Sequence, residues 1–147
     1  MKSKAIIVDL DGTLCDVDHR VHFVQKHPKD WEGFNSKMSD DLLHNWCQEL
    51  IDAMRARNYK ILFVTGRGDS YQEVTKTWLK KHGIIFDLLL MRSAGDLRED
   101  ADIKEDLYKD SIQNVYDVLF VLDDRASVVE RWRNLGLVCL QCAPGNF

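Results

Sequence analysis

Short, uninterrupted apolar runs punctuate the chain at Ala5–Leu10, Lys60–Val64, Phe86–Met91, Val118–Leu122 and Leu137–Cys142. Runs of this length, apolar at successive rather than alternate positions, predict strands buried on both faces. Between most of them apolar residues return at helical spacing. The stripes are Leu42, Leu43, Trp46, Leu50 and Met54; Tyr71, Val74 and Trp78; Ile103, Leu107, Ile112 and Val115; and Val128, Val129, Trp132 and Leu135. Their Trp and Met residues read as core packing. This alternation predicts an α/β fold, a parallel sheet of about five strands covered by helices on both faces. Gly83 and Gly136 stand where two helices should end, as C-terminal caps. The stretch Cys15–Ser39 lacks a clear period and holds three of the five histidines. It reads as a small cap insertion after the first strand, over the sheet edge where open parallel sheets bind ligands. No repeat, low-complexity run or linker divides residues 1–147, so a single domain is expected.

Composition narrows the classes. Hydrophobic residues make up 45% and charged residues 30%, with a net charge of −4, the balance of an ordinary soluble domain. No apolar run approaches the roughly 18–20 residues of a membrane span. Met1-Lys2-Ser3-Lys4 leads into a short apolar run that ends at a carboxylate, unlike a signal peptide, so a cytoplasmic protein without membrane contact is expected. Mild acidity argues against wrapping a long nucleic acid but leaves room for a few arginines gripping a strand end. Cys139 and Cys142 form a C-x-x-C with no second pair or nearby histidine, and all four cysteines read as packed thiols.

The chemistry gathers at strand ends. The first strand runs into Asp9-Leu10-Asp11-Gly12-Thr13. Strand alternation would aim both carboxylates to one side, where two close anions call for a cation. Hard oxygen ligands of this kind suit Mg²⁺. The second strand releases Thr65, Gly66 and Arg67. Lys104 opens a helix after the third, and the fourth ends in Asp123-Asp124-Arg125. In a parallel sheet these ends converge on one edge. Paired acids, a hydroxyl and a lysine there are what phosphoryl transfer to a carboxylate requires.

On these residues the sequence resembles the haloacid dehalogenase (HAD) superfamily of aspartate-nucleophile phosphatases. Asp9-x-Asp11-Gly12-Thr13, Thr65, Lys104 and Asp123-Asp124 stand where that superfamily carries its four motifs. A closer likeness lies downstream, in Gly95-Asp96-Leu97-Arg98, Ile103-Lys104-Glu105-Asp106-Leu107-Tyr108, Asp123-Asp124-Arg125 and the ending Cys142-Ala143-Pro144-Gly145-Asn146-Phe147. These resemble the phosphatase half of phage-type polynucleotide kinase/phosphatases. Arg20, Arg67 and Arg92 fall where those enzymes carry arginines. These residues hold no G-x-x-x-x-G-K-[ST], so the resemblance is to the phosphatase half alone and a free-standing phosphatase is expected.

The resemblance implies a HAD-like (Rossmann-like) fold and Mg²⁺-dependent removal of 3′-phosphates, with 2′,3′-cyclic phosphates a further substrate, from DNA or RNA ends. It implies Asp9 as nucleophile and Asp11 as the acid and base beside it. Mg²⁺ is expected on Asp9, Asp123 and the main-chain carbonyl of Asp11. Thr65 and Lys104 would hold the phosphoryl oxygens, and Asp124 would orient Lys104 or a metal-bound water. Gly66, Arg20, Arg67, Arg92 and Arg98 are the candidate substrate grips. Nucleic-acid 3′ ends are the expected partner, with a separate kinase or ligase beside them. His19, His22 and His27 read as surface or cap packing, and Trp31 and Phe34 as packing the insertion down, with base stacking the rarer use. Two further readings stand beside this one: a phosphatase of nucleotides or other small phosphate esters, and a non-catalytic module that docks on nucleic acid or a repair protein.

Overall fold

The computed structural model describes residues 1–147. Five strands build one sheet: β1 (Ser3–Val8), β4 (Lys60–Gly68), β5 (Leu88–Arg92), β6 (Tyr116–Asp123) and β7 (Cys139–Gln141). Their order is β5-β4-β1-β6-β7, and every pairing is parallel. A second, two-stranded antiparallel ribbon joins β2 (Cys15–Asp16) to β3 (Leu42–Leu43). The helices are α1 (His22–Gln25), α2 (Trp31–Ser36), α3 (Asn45–Ala56), α4 (Gln72–Lys81), α5 (Asp100–Ser111) and α6 (Ala126–Asn134). None is long and apolar enough to cross a membrane.

Successive β1 side chains feed opposite faces, as a strand period of two requires. Ile6 and Val8 pack with Cys47 and Ile51 of α3, Trp78 and Leu79 of α4, and Val24 and Phe34 of the insertion. Ala5 and Ile7 pack with Ala101 and Tyr108 of α5 and Val128, Val129 and Trp132 of α6. The expected layers are present, helices on both faces of a parallel sheet. Trp78 and Trp132 pack the core and Met54 lies against it, whereas Trp46 is exposed and stacks on His44, because the buried face of α3 is carried by Cys47 and Ile51. Trp132 is buried edge-on to Tyr108, their ring centroids 5.9 Å apart. Gly83 and Gly136 end their helices at φ +69° and +87°, a conformation that costs glycine least.

Several boundaries differ from the pattern. Leu42 and Leu43, expected on the α3 stripe, form β3 instead. Their ladder to β2 brackets the insertion, and α3 starts only at Asn45. Phe86 precedes β5 and packs from the side against Phe63, with ring centroids 5.6 Å apart. Val115, expected on the α5 stripe, lies beyond the helix and is exposed. A short apolar run cannot by itself tell a ladder from a helical turn. Four free cysteines, three of them buried, behave as packed thiols.

Candidate active site

The carboxyl ends of β1, β4 and β6 and the first turn of α5 meet at one edge. Asp9 follows β1 directly, its main-chain N–H donating to the Leu122 carbonyl of β6 at 2.9 Å. Its carboxylate accepts from Lys104 Nζ at 2.9 Å and from the Thr13 hydroxyl at 3.3 Å. Lys104 also donates to Asp123 Oδ2 at 2.8 Å. Asp123 Oδ2 takes the Trp132 indole N–H at 3.2 Å, and Oδ1 takes the Asp124 main-chain N–H at 2.9 Å. Thr65 is buried, with its hydroxyl accepting the Arg67 main-chain N–H at 3.1 Å, where the β4–β5 register shifts between Thr65 and Gly68. Bulges of this kind re-aim side chains at a sheet's rim.

Three carboxylates here face one ammonium. Burial and then the charge of Asp123 raise the Asp9 carboxyl well above its ordinary range. The same two causes push Asp124 up to about 6. Burial alone would depress Lys104, but Asp123 and Asp9 outweigh it and hold the ammonium charged. Oxygens of Asp9, Asp123 and Asp124 lie within 4.8 Å of one another. Asp124 Oδ1 is buried without a hydrogen-bond partner. Surplus negative charge, hard oxygen donors and an orphaned buried oxygen fit a divalent cation such as Mg²⁺. Gly12 makes room for Asp124. A Cβ there would fall 2.1 Å from Asp124 Oδ2, at a φ of +83°.

Asp11 departs from the simple strand picture. β1 ends at Val8, the chain turns, and the Asp11 carboxylate leaves the acid cluster. It lies 2.6 Å from Arg67 Nη2 and 2.8 Å from Arg20 Nη2. Burial would raise its pKa, but Arg67 and then Arg20 pull it down to about 2. Asp124, for its part, makes no hydrogen bond to Lys104; Asp123 fills that place.

The arginines are committed to the protein. Arg20 is fully buried, spends its donors on Asp41, Asp11 and the Phe34 carbonyl, and lies 4.1 Å over the Phe34 ring. Arg67, also buried, binds Asp11, Asp41 and the Thr75 hydroxyl at 3.0 Å. Arg92 ties the carbonyls of Gly66 and Asp96 to the Asp100 carboxylate. A buried guanidinium must be paired, so Arg20 and Arg67 are braced from within, while Arg92, only partly buried, lines the cleft beside Arg67. Arg98, half exposed and paired with Asp96 and Asp106, is the most exposed of the four and lies at the rim. Gly66 passes so close to Asp100 that a Cβ would come within 2.5 Å of it.

Sequence reasoning missed Asp41, Asp100 and Arg125 as structural partners. Asp100 stands one helical turn before Lys104, a spacing that places both on one face of α5. Arg125, next to the acid pair, donates to Asp100 at 2.8 Å and to the Phe147 carbonyl at 2.7 Å. Nothing in the local pattern marks Asp41. The acid cluster opens on a cleft of about 730 Å³, with Asp9, Lys104 and Asp123 in its wall and Trp31, Tyr71 and Phe147 among its other lining residues.

Comparison with known proteins places this geometry. The family model for the phosphatase domain of polynucleotide kinase PNKP matches residues 3–147. The chain belongs to that family. As a PNKP-type phosphatase domain it is a phosphoric monoester hydrolase of HAD-like fold, which makes the acid cluster and Lys104 its candidate catalytic centre. A chain of the solved Pnkp1/Rnl/Hen1 RNA repair complex is 37% identical over 99% of this domain and 44% of its own length, with a TM-score of 0.88. A protein of Autographa californica nuclear polyhedrosis virus, provisionally named a bifunctional polynucleotide kinase/RNA ligase, is 27% identical over 90% of this chain and 18% of its own. The PNKP-type domain thus spans less than half of each of these relatives. A haloacid dehalogenase-like hydrolase from Streptococcus pneumoniae, 16% identical over 95% of this chain and 84% of its own, shares the fold at a TM-score of 0.67.

Proposed function

We propose that this domain removes 3′-phosphates, and opens 2′,3′-cyclic phosphates, at DNA or RNA ends through an aspartyl-phosphate, with Mg²⁺ as cofactor. The observation that carries the reading is the buried Asp9 carboxylate, 2.9 Å from Lys104 and beside Asp123 and Asp124, on the wall of an open cleft. An open cleft under a small cap admits the end of a polymer. The family relatives support nucleic acid as substrate and a kinase or ligase as the neighbouring activity.

In the first step Asp9 Oδ bonds to phosphorus while the ester P–O bond breaks, its electron pair staying on the sugar oxygen. That oxygen takes a proton from Asp11. In the second step water attacks the aspartyl-phosphate and gives its proton to Asp11, releasing phosphate and restoring Asp9. In the pose described here Asp11 is ionised, ready to accept; to donate, it turns from the arginines toward the ester oxygen. Lys104 and Thr65 hold the nonbridging oxygens. Mg²⁺, held by Asp9, Asp123, Asp124 and the main-chain carbonyl of Asp11, would offset charge on the phosphoryl oxygens.

A substrate panel tests the reading: 3′-phosphorylated, 5′-phosphorylated and 2′,3′-cyclic oligonucleotides and 3′- and 5′-mononucleotides, each with Mg²⁺ or with chelator. Preference for 3′-phosphorylated oligonucleotides, lost in chelator, is expected. Equal or faster turnover of mononucleotides would replace it with a small-ester phosphatase. Inertness toward every ester with any divalent cation would make the domain a binding module.

A further inference from the structure

Behind Asp11 lies a closed quartet of charge. Asp11 and Asp41 are the anions, Arg20 and Arg67 the cations, and each guanidinium touches both carboxylates. Arg20 grips Asp41 through Nε and Nη2, both at 2.7 Å, and reaches Asp11 at 2.8 Å. Arg67 Nη2 lies 2.6 Å from Asp11 and 3.3 Å from Asp41. Asp41 has no exposed side-chain surface and takes no part in the cleft wall, so it does not touch substrate. It is nonetheless held from every side. Its main-chain carbonyl accepts the Trp78 indole N–H of α4 at 2.9 Å, and His19 Nε2 lies 2.7 Å from Oδ1.

We propose that Asp41 is a positioning residue: anchored to α4 and to the insertion, it fixes Arg20 and Arg67 and serves as their second counter-ion, so that Asp11 is aimed at the leaving oxygen and able to let go of the pair. The inference rests on Asp11 being the proton donor of the proposed mechanism. In the step served, the Asp9 Oδ–P bond forms, the ester P–O bond breaks with its electrons on oxygen, and the Asp11 proton moves to that oxygen. Without the Asp41 charge, both guanidinium groups have Asp11 as their only carboxylate and bind it in place. A surplus buried cation is costly, so the departure of Asp11 would be opposed.

The test is leaving-group dependence. Phenyl phosphate needs its leaving oxygen protonated far more than 4-nitrophenyl phosphate does, and kcat/KM reports the step that breaks that bond. Asp41→Asn is expected to lower kcat/KM for phenyl phosphate about tenfold or more, a fraction of what general acid catalysis supplies, and for 4-nitrophenyl phosphate by about twofold at most. Asp11→Asn should show the same selectivity in larger measure. Equal losses on both esters, or none, in folded Asp41→Asn would overturn the proposal while leaving Asp11 in its role. An unselective Asp11→Asn would instead overturn the reading beneath it. Arg20→Lys, which keeps the charge but cannot bridge two carboxylates, should reproduce the selectivity and decides the matter if Asp41→Asn does not fold. If neither variant folds, the quartet serves stability alone and the proposal falls.

Discussion

Trp132, on the buried face of α6, donates its indole N–H to Asp123 Oδ2 at 3.2 Å. The same oxygen accepts Lys104. A residue that the helical stripe marks as packing therefore also orients a carboxylate of the site. Trp132→Phe keeps an aromatic ring against Tyr108 but leaves a buried acceptor one donor short. We expect a stability loss of about 1–3 kcal/mol, from the lost hydrogen bond and the smaller ring, read by thermal melting. Activity should fall more than the melting temperature suggests, because Asp123 loses a fixed rotamer.

Asp9→Asn is predicted to abolish turnover, by about a thousandfold or more, with far-UV circular dichroism unchanged. In chelator the variant should melt no lower than the parent, since burial and Asp123 already disfavour the ionised Asp9. Near-parental hydrolysis of 4-nitrophenyl phosphate by the variant would remove Asp9 from the nucleophile's role.

The acid cluster makes a pH prediction for metal-free protein. Asp124, pushed up to about 6, binds its proton more tightly folded than unfolded, where carboxyls titrate near 4. Stability in chelator should therefore decline as pH rises from about 4 to about 6, by roughly 1–3 kcal/mol. Asp124→Asn should shrink that decline by its own share, the raised Asp9 keeping the rest, and saturating Mg²⁺ should reverse it by binding the ionised forms. A parent that melts identically at pH 4.5 and 6.5 in chelator would contradict this account. Asp11 acts with the opposite sign: held at about 2 by Arg67 and Arg20, it contributes stability that is lost only as pH falls from about 4 toward 2.

Gly12→Ala should damage the site sterically. The new Cβ would meet Asp124 Oδ2 at 2.1 Å from a left-handed backbone. We expect destabilisation of about 1–2 kcal/mol and a raised Mg²⁺ requirement, measured as the Mg²⁺ concentration giving half-maximal rate.

Arg98 reaches the cleft rim, so Arg98→Ala should raise KM for a phosphorylated oligonucleotide severalfold, more at low salt. kcat/KM for 4-nitrophenyl phosphate should stay within about twofold, because the small ester does not span to the rim. Equal effects on both substrates would place Arg98 in the phosphoryl site itself.

Much of this was legible along the chain. Continuous apolar runs can only be satisfied by a sheet covered on both faces, and such a sheet delivers its carboxyl ends to one edge. Asp9, Thr65, Lys104 and Asp123 meet there for that reason. Less was visible around the insertion, where Leu42 and Leu43 close a two-residue ladder that periodicity cannot separate from a helical start. Arginine at the expected positions was readable too, but not what each would bind. Arg20 and Arg67 are as inaccessible as core leucines.

The amino-acid order alone determined the layers, the edge and the chemical types gathered at it, because burial patterns and strand direction are properties of local sequence. Only the folded chain decided how the charges pair. Asp11 joins Arg67 across 56 positions, and Arg20 joins Asp41 across 21. Which carboxylate neutralises which guanidinium depends on who is buried beside whom, a matter of three-dimensional proximity in a poorly solvated interior that no spacing along the chain encodes.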